Sequence, residues 1–142
     1  MTSKQKKVIA AFCLCAMLLV PGQAVFAAEA ESDYEIAPMM TYIVDYSIVI
    51  SKSGTTVNVD AKVNGDYFDA TKAKVIAELQ VKNGNDWIPV GLWTDTQDDY
   101  QARVVESYDG VSGHTYRVKA TVTVWEGSAS ETVTSYTDEL TL

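Results

Sequence analysis

Few side chains in this chain could carry out chemistry. There is one histidine, His114, and there are two cysteines, Cys13 and Cys15. A hydrolytic triad needs a base beside a nucleophile. His114 follows the turn-forming stretch Asp109-Gly110-Val111-Ser112-Gly113, and the sequence contains no nucleophile elbow, phosphate loop or metal-spaced histidine pair. A pair of carboxylates could serve as acid and base on a glycoside. That mechanism needs a cleft that raises one carboxyl pKa, and the aspartates here fall mostly in short loops. The chain is therefore expected not to be an enzyme, and no catalytic residue is assigned.

Two other groups of residues point to binding. Asp95, Asp98 and Asp99 form the densest acidic loop. Hard oxygen ligands on a flexible loop suit Ca²⁺, although the order lacks the EF-hand spacing and its glycine. The site is either a calcium site or a solvated loop. The aromatic residues are the second group. Trp87 and Trp93 lie six positions apart. On an unbroken strand they share a face about 20 Å apart, with Ile88, Val90 and Leu92 turned to the core. The alternative is a bulge at Gly91 that flips the parity and buries one of them. Trp125 points opposite to the apolar set of its own strand, and Tyr67, Tyr100 and Tyr108 stand near loops. Exposed aromatic residues of this kind stack on sugars or anchor a protein partner. Trp87, Trp93, Trp125, Tyr100 and Tyr108 are thus the candidate binding residues.

The N-terminus places these side chains outside the cytoplasm. Lys4, Lys6 and Lys7 precede an uncharged run from Val8 to Val20, which Pro21-Gly22 ends. Val25 and Ala27 are spaced for a signal peptidase, so 1–27 reads as a secretory signal peptide cleaved after Ala27, with Ala30 as the second position. A membrane-spanning helix needs about twenty residues, and the apolar run has thirteen. Neither cysteine follows the small residue that a lipobox requires. Cleavage removes both cysteines, so no disulfide, thiol nucleophile or cysteine metal site is expected in the mature chain. Secretion without disulfides suggests a bacterial source. The mature chain keeps eight Lys and Arg against nineteen Asp and Glu, a net charge of −11. That charge opposes binding to nucleic acid and anionic lipid, and no stable membrane insertion is expected after cleavage.

Residues 28–39 read as a flexible acidic leader. Beyond them, the chain follows the period-two alternation of half-buried strands. Seven strands are expected, at 41–50, 55–63, 74–82, 87–94, 100–108, 114–125 and 131–140. The clearest are 55–63, with Val57, Val59, Ala61 and Val63 inward, and 114–125, with Tyr116, Val118, Ala120, Val122 and Val124 inward. Residues 74–82 also have good helix-forming chemistry, but Asn83-Gly84-Asn85-Asp86 follows as a hairpin turn. Pro89 cannot donate to a ladder, so 87–94 should be an edge strand or carry a bulge. Turns every eight to twelve residues, with no long helix, indicate an all-β antiparallel two-sheet sandwich over 40–142.

The segment Gly113-His-Thr-Tyr116-Arg-Val118, followed by Lys-Ala-Thr-Val-Thr-Val, resembles the penultimate strand of immunoglobulin-like and fibronectin type III-like domains. The resemblance implies a tyrosine corner at Tyr116, whose hydroxyl bonds back to the backbone. This sequence departs from the immunoglobulin pattern in lacking a cysteine pair and a core tryptophan on the second or third strand. The whole chain is also similar to uncharacterised families of small proteins secreted by Gram-positive bacteria, which implies export and a sandwich but no activity. The function expected is a secreted, non-enzymatic binding module for an extracellular protein or glycan. The alternative is a structural or matrix component that self-associates through its edge strands.

Overall fold

Alternating apolar and polar residues make each strand of this domain two-faced, and the burial follows that alternation. The computed structural model describes residues 40–142. The expected signal peptide, its cleavage site at Ala27 and the acidic leader lie outside the described residues. Eight strands occur in order: β1 (Ile43–Ser53), β2 (Thr56–Gly65), β3 (Lys72–Asn83), β4 (Asp86–Gln97), β5 (Gln101–Asp109), β6 (Thr115–Glu126), β7 (Ala129–Tyr136) and β8 (Leu140–Thr141). They form two antiparallel sheets. One has the order β1-β2-β5. The other has the order β4-β3-β6-β7, with β8 also paired to β6. The domain is thus an all-β two-sheet sandwich.

The inner face is built from small and branched side chains. β2 contributes Val57, Val59, Ala61 and Val63. β3 contributes Ala73, Val75, Ala77 and Leu79, and β6 contributes Tyr116, Val118, Ala120, Val122 and Val124; all are buried. Each fully buried Val or Leu contributes roughly 1.5–3 kcal/mol of transfer free energy. β3, with its helix-compatible composition, is a strand because it is paired on both sides, with β4 and with β6. Tertiary pairing overrides local propensity here. The hairpin between β3 and β4 closes in two residues, Gly84 and Asn85, and Gly84 adopts φ 64°. A positive φ at the first central residue matches the twist of the flanking strands and favours glycine.

Two departures from simple alternation shape the larger sheet. The last expected strand, 131–140, is broken into β7 and β8. At the break, Thr137 N–H donates to Val118 O at 2.9 Å, and Val118 N–H donates to Thr137 Oγ1 at 2.9 Å. The threonine hydroxyl takes the place of a ladder carbonyl, so the main chain can leave the sheet at Asp138 and Glu139. The second departure lies in β4, which is an edge strand. Leu79 pairs with Gly91 but Gln80 pairs with Pro89, leaving Val90 as the extra residue of a bulge. A bulge of this kind reverses the side-chain parity of everything beyond it.

Candidate binding face

That one-residue bulge separates the two tryptophans of β4. Trp87 lies opposite Lys82 and faces outward, whereas Trp93 lies opposite Ala77 and packs against the core. The expectation that they share a face is therefore corrected. Gly91 accommodates the inward indole: a Cβ built on it would lie 2.5 Å from Trp93 Cη2. The expected core set of β4 is corrected with it. Leu92 is 65% exposed and faces outward. Ile88 lies opposite Val81 at the open edge and is also exposed, and only Val90 packs against the core.

Outward-facing residues of β4, β3, β6 and β7 make up the broad outer face of the larger sheet. At one end, the Arg117 guanidinium lies 4.2 Å from the Trp87 ring and 4.6 Å from the Tyr136 ring. Its Nε donates to Gln80 Oε1 at 2.7 Å, and Gln80 Nε2 donates to Glu78 Oε2 at 2.6 Å. Lys82 Nζ stands 5.7 Å from the Trp87 ring and pairs with Glu139 at 3.3 Å. Aromatic faces attract cations through the ring quadrupole, so these contacts hold the long basic side chains in place. At the other end, Lys72 Nζ sits 5.0 Å from the Trp125 ring. Trp87 and Trp125 mark positions ten residues apart along β3, roughly 30 Å at the usual strand rise. Between them are a shallow hollow lined by Ile76, Glu78, Leu92, Lys119 and Thr121, and a double row of threonines. Thr123 and Thr132 hydroxyls share a hydrogen bond at 2.9 Å, and those of Thr121 and Thr134 share one at 3.3 Å.

Charge is unevenly distributed over the domain. Five of its eight basic residues, Lys72, Lys74, Lys82, Arg117 and Lys119, project from this one face. Glu78 is the single acid at an outward strand position among them. Among the described residues, Lys72, Lys74, Arg117 and Lys119 form no ion pair. On the opposite sheet Arg103 forks onto Asp60, with its Nε 2.8 Å from Oδ1, while Lys52 and Lys62 form no ion pair among the described residues. Those hydrogen bonds, assisted by the guanidinium charge, hold the Asp60 carboxyl below the ordinary aspartate range despite some burial.

The remaining sequence candidates fall elsewhere. Tyr108 is on the inner side of β5, where it packs against the core with its ring 6.1 Å from that of Tyr116. It is half-buried at the margin of the core rather than on the outer surface, because it lies opposite the buried Val57. Tyr116 is itself buried, and its hydroxyl accepts the Val111 N–H at 3.0 Å. Tyr100 meets Tyr67 edge-on at 5.0 Å, and Tyr67 meets Phe68 at 5.2 Å. This is a separate exposed cluster at one end of the sandwich, with Phe68 89% exposed. The three acidic-loop residues do not converge. Asp95 turns to the inner side of β4, where its Oδ2 accepts the Arg103 N–H at 3.0 Å and its Oδ1 accepts from Gln97 at 2.8 Å. Asp99 accepts the Tyr100 N–H at 2.7 Å, and Asp98 is exposed. Among the described residues, no group of three His, Cys, Asp or Glu side chains could hold a metal ion. His114 is exposed, with no acid or nucleophile hydrogen-bonded to its ring among the described residues.

Sequence reasoning picked out Trp87 and Trp125 on this face but missed Arg117, Tyr136 and the lysines. A signal was present: in β6, Arg117 and Lys119 alternate with the inward set, so both had to face outward with Trp125. No protein-family model matches the chain, and no curated protein matches it.

Proposed function

We propose that this protein is a secreted, non-enzymatic binding module that takes an extracellular glycan on the outer face of its larger sheet. The observation that carries this reading is the Trp87–Arg117–Tyr136 stack. It places two aromatic rings and a positioned guanidinium on an exposed sheet surface, with Lys82 beside it and Trp125 and Lys72 at the far end. Aromatic and arginine side chains are the anchors that most often dominate binding energy. The signal peptide read at 1–27 supports an extracellular setting. The strand order and the Tyr116–Val111 bond support the immunoglobulin-like or fibronectin type III-like resemblance. Backbone amide shifts recorded on addition of a panel of soluble glycans test the reading. Shifts confined to β3, β4, β6 and β7, lost in W87A, are expected. Shifts centred on the Tyr67–Phe68–Tyr100 cluster instead would overturn it.

A second reading is favoured by β1. This strand pairs only with β2, and its stretch Tyr46-Ser-Ile-Val-Ile-Ser51 carries no charge or proline, with Val49 53% exposed. An unprotected edge of this kind templates addition of another strand. Self-association through β1 predicts a mass that rises with concentration in light scattering and falls back to the monomer in V49K. A monomer at every concentration excludes it.

A further inference from the structure

The proposed binding face says more about its ligand than that it is a glycan. We infer, resting on the reading above, that this face binds a polyanionic polysaccharide, one whose sugars carry carboxylates.

The first argument is electrostatic. The domain carries fifteen Asp and Glu between residues 40 and 142, against eight Lys and Arg. Six of the eight form no ion pair among the described residues; Lys52 and Lys62 lie on the smaller sheet, whereas Lys72, Lys74, Arg117 and Lys119 stand together on this one face. Arg117 is the best defined of them. Two rings and Gln80 fix its orientation through one nitrogen and the guanidinium plane. No acceptor within the described residues takes its terminal N–H groups. A planar fork of donors held in place suits a carboxylate. The aromatic contacts reduce the side-chain freedom that would otherwise be lost on binding.

The second argument selects the class of polyanion. Single-stranded nucleic acid binds by stacking its bases on open aromatic rings. Here Arg117 covers a face of both Trp87 and Tyr136, and Lys72 lies over Trp125. The domain's overall negative charge also opposes a densely charged strand. An acidic peptide binding in extended form would seek free main-chain groups at a sheet edge. The middle of this face offers none, because β3 and β6 are paired on both sides. It offers side-chain charge and a double row of threonine hydroxyls over roughly 30 Å. That combination fits a hydroxyl-rich polymer with spaced carboxylates.

The test uses the protein as isolated from its producing cells, in the presence of a calcium chelator. The probes are polygalacturonate, its fully methyl-esterified form, poly-L-glutamate and oligodeoxythymidylate. Polygalacturonate should bind, with affinity falling steeply as salt is raised. K74Q/K119Q should weaken binding about tenfold, and K62Q, on the opposite sheet, should leave it unchanged. R117Q should weaken it further. If R117Q loses the fold, the K74Q/K119Q comparison still decides. Equal binding of the methyl-esterified polymer overturns the inference while leaving the glycan-binding face intact. Loss of binding to both forms of the polymer overturns the inference, and no response to any glycan overturns the underlying reading as well. Poly-L-glutamate or oligodeoxythymidylate binding as tightly as polygalacturonate, or an equal loss in K62Q, would also sink it.

Discussion

Glu131 on β7 accepts the Ile43 N–H through Oε2 at 2.9 Å, joining the last long strand of one sheet to the first residue of the other. The same oxygen accepts the Tyr42 N–H at 2.7 Å, and both carboxylate oxygens accept the Thr41 N–H, at 3.1 and 2.9 Å. Glu131 lies opposite the buried Val124, so a carboxylate occupies an inner-face position at the sheet edge. Three successive backbone donors satisfy it there. This clamp ties the start of β1 to the edge of the larger sheet. Charge-assisted bonds to backbone N–H groups are stronger than neutral ones. Glu131→Ala should therefore cost about 1–2 kcal/mol in denaturant unfolding. It should also raise amide exchange at Thr41, Tyr42 and Ile43. Unchanged protection at those three amides would show that the clamp does not hold the strand.

The clamp also sets a pH dependence. Burial raises the Glu131 carboxyl pKa, but the bonds from Ile43, Tyr42 and Thr41 outweigh it and hold the group below the ordinary glutamate range. A carboxyl depressed in the folded state contributes stability that is fully present above its unfolded pKa, about 4.3. That contribution is lost as pH falls through the lower folded value. Asp60 acts in the same direction through Arg103. The unfolding midpoint should fall on acidification below about pH 4.3, and Glu131→Gln should flatten that fall. A wild-type and Glu131→Gln pair with parallel acid limbs would rule out this contribution.

Tyr116 links the core to the chain entering β6. Its ring is buried and its hydroxyl accepts the Val111 N–H five residues upstream. Tyr116→Phe keeps the packing volume and leaves that N–H without its acceptor. A part-buried donor left unpaired costs about 1–3 kcal/mol. Chemical denaturation should show that loss with an unchanged slope. A neutral Tyr116→Phe would mean that water replaces the hydroxyl.

The positions of these strands were legible because a half-buried strand announces itself locally. Val57, Val59, Ala61 and Val63 alternate with polar residues, and each is buried. Pro89 likewise announced an edge or a bulge, and β4 has both. What could not be read was the position of the bulge, because Val90 is extra only relative to β3. A one-residue uncertainty there decides which of Trp87 and Trp93 faces the core. The clamp was illegible for a similar reason: Glu131 meets its donors across 88 to 90 residues of sequence. The candidate face was half legible. Trp125 and Arg117 follow from the parity of β6, but the convergence of Arg117 with Trp87 and Tyr136 depends on which strands are neighbours.

The bulge makes a prediction of its own. Trp93 turns inward only because Val90 is an extra, unpaired residue and Gly91 leaves room for the indole. A side chain at Gly91 must push the ring aside, since the contacting atoms belong to the rigid six-membered part of the indole. Gly91→Val should therefore displace Trp93 from the core edge and cost about 1–3 kcal/mol through overpacking. Tryptophan emission should shift to the red and become more accessible to iodide. Trp93→Phe in the Gly91→Val background should recover part of the loss, because the smaller ring ends short of the added methyls. Trp87 lies on the other side of the bulge and faces the other way, so the proposed glycan binding should survive both changes. Binding lost in step with Trp93 exposure would mean that the bulge also sets the geometry of the outer face.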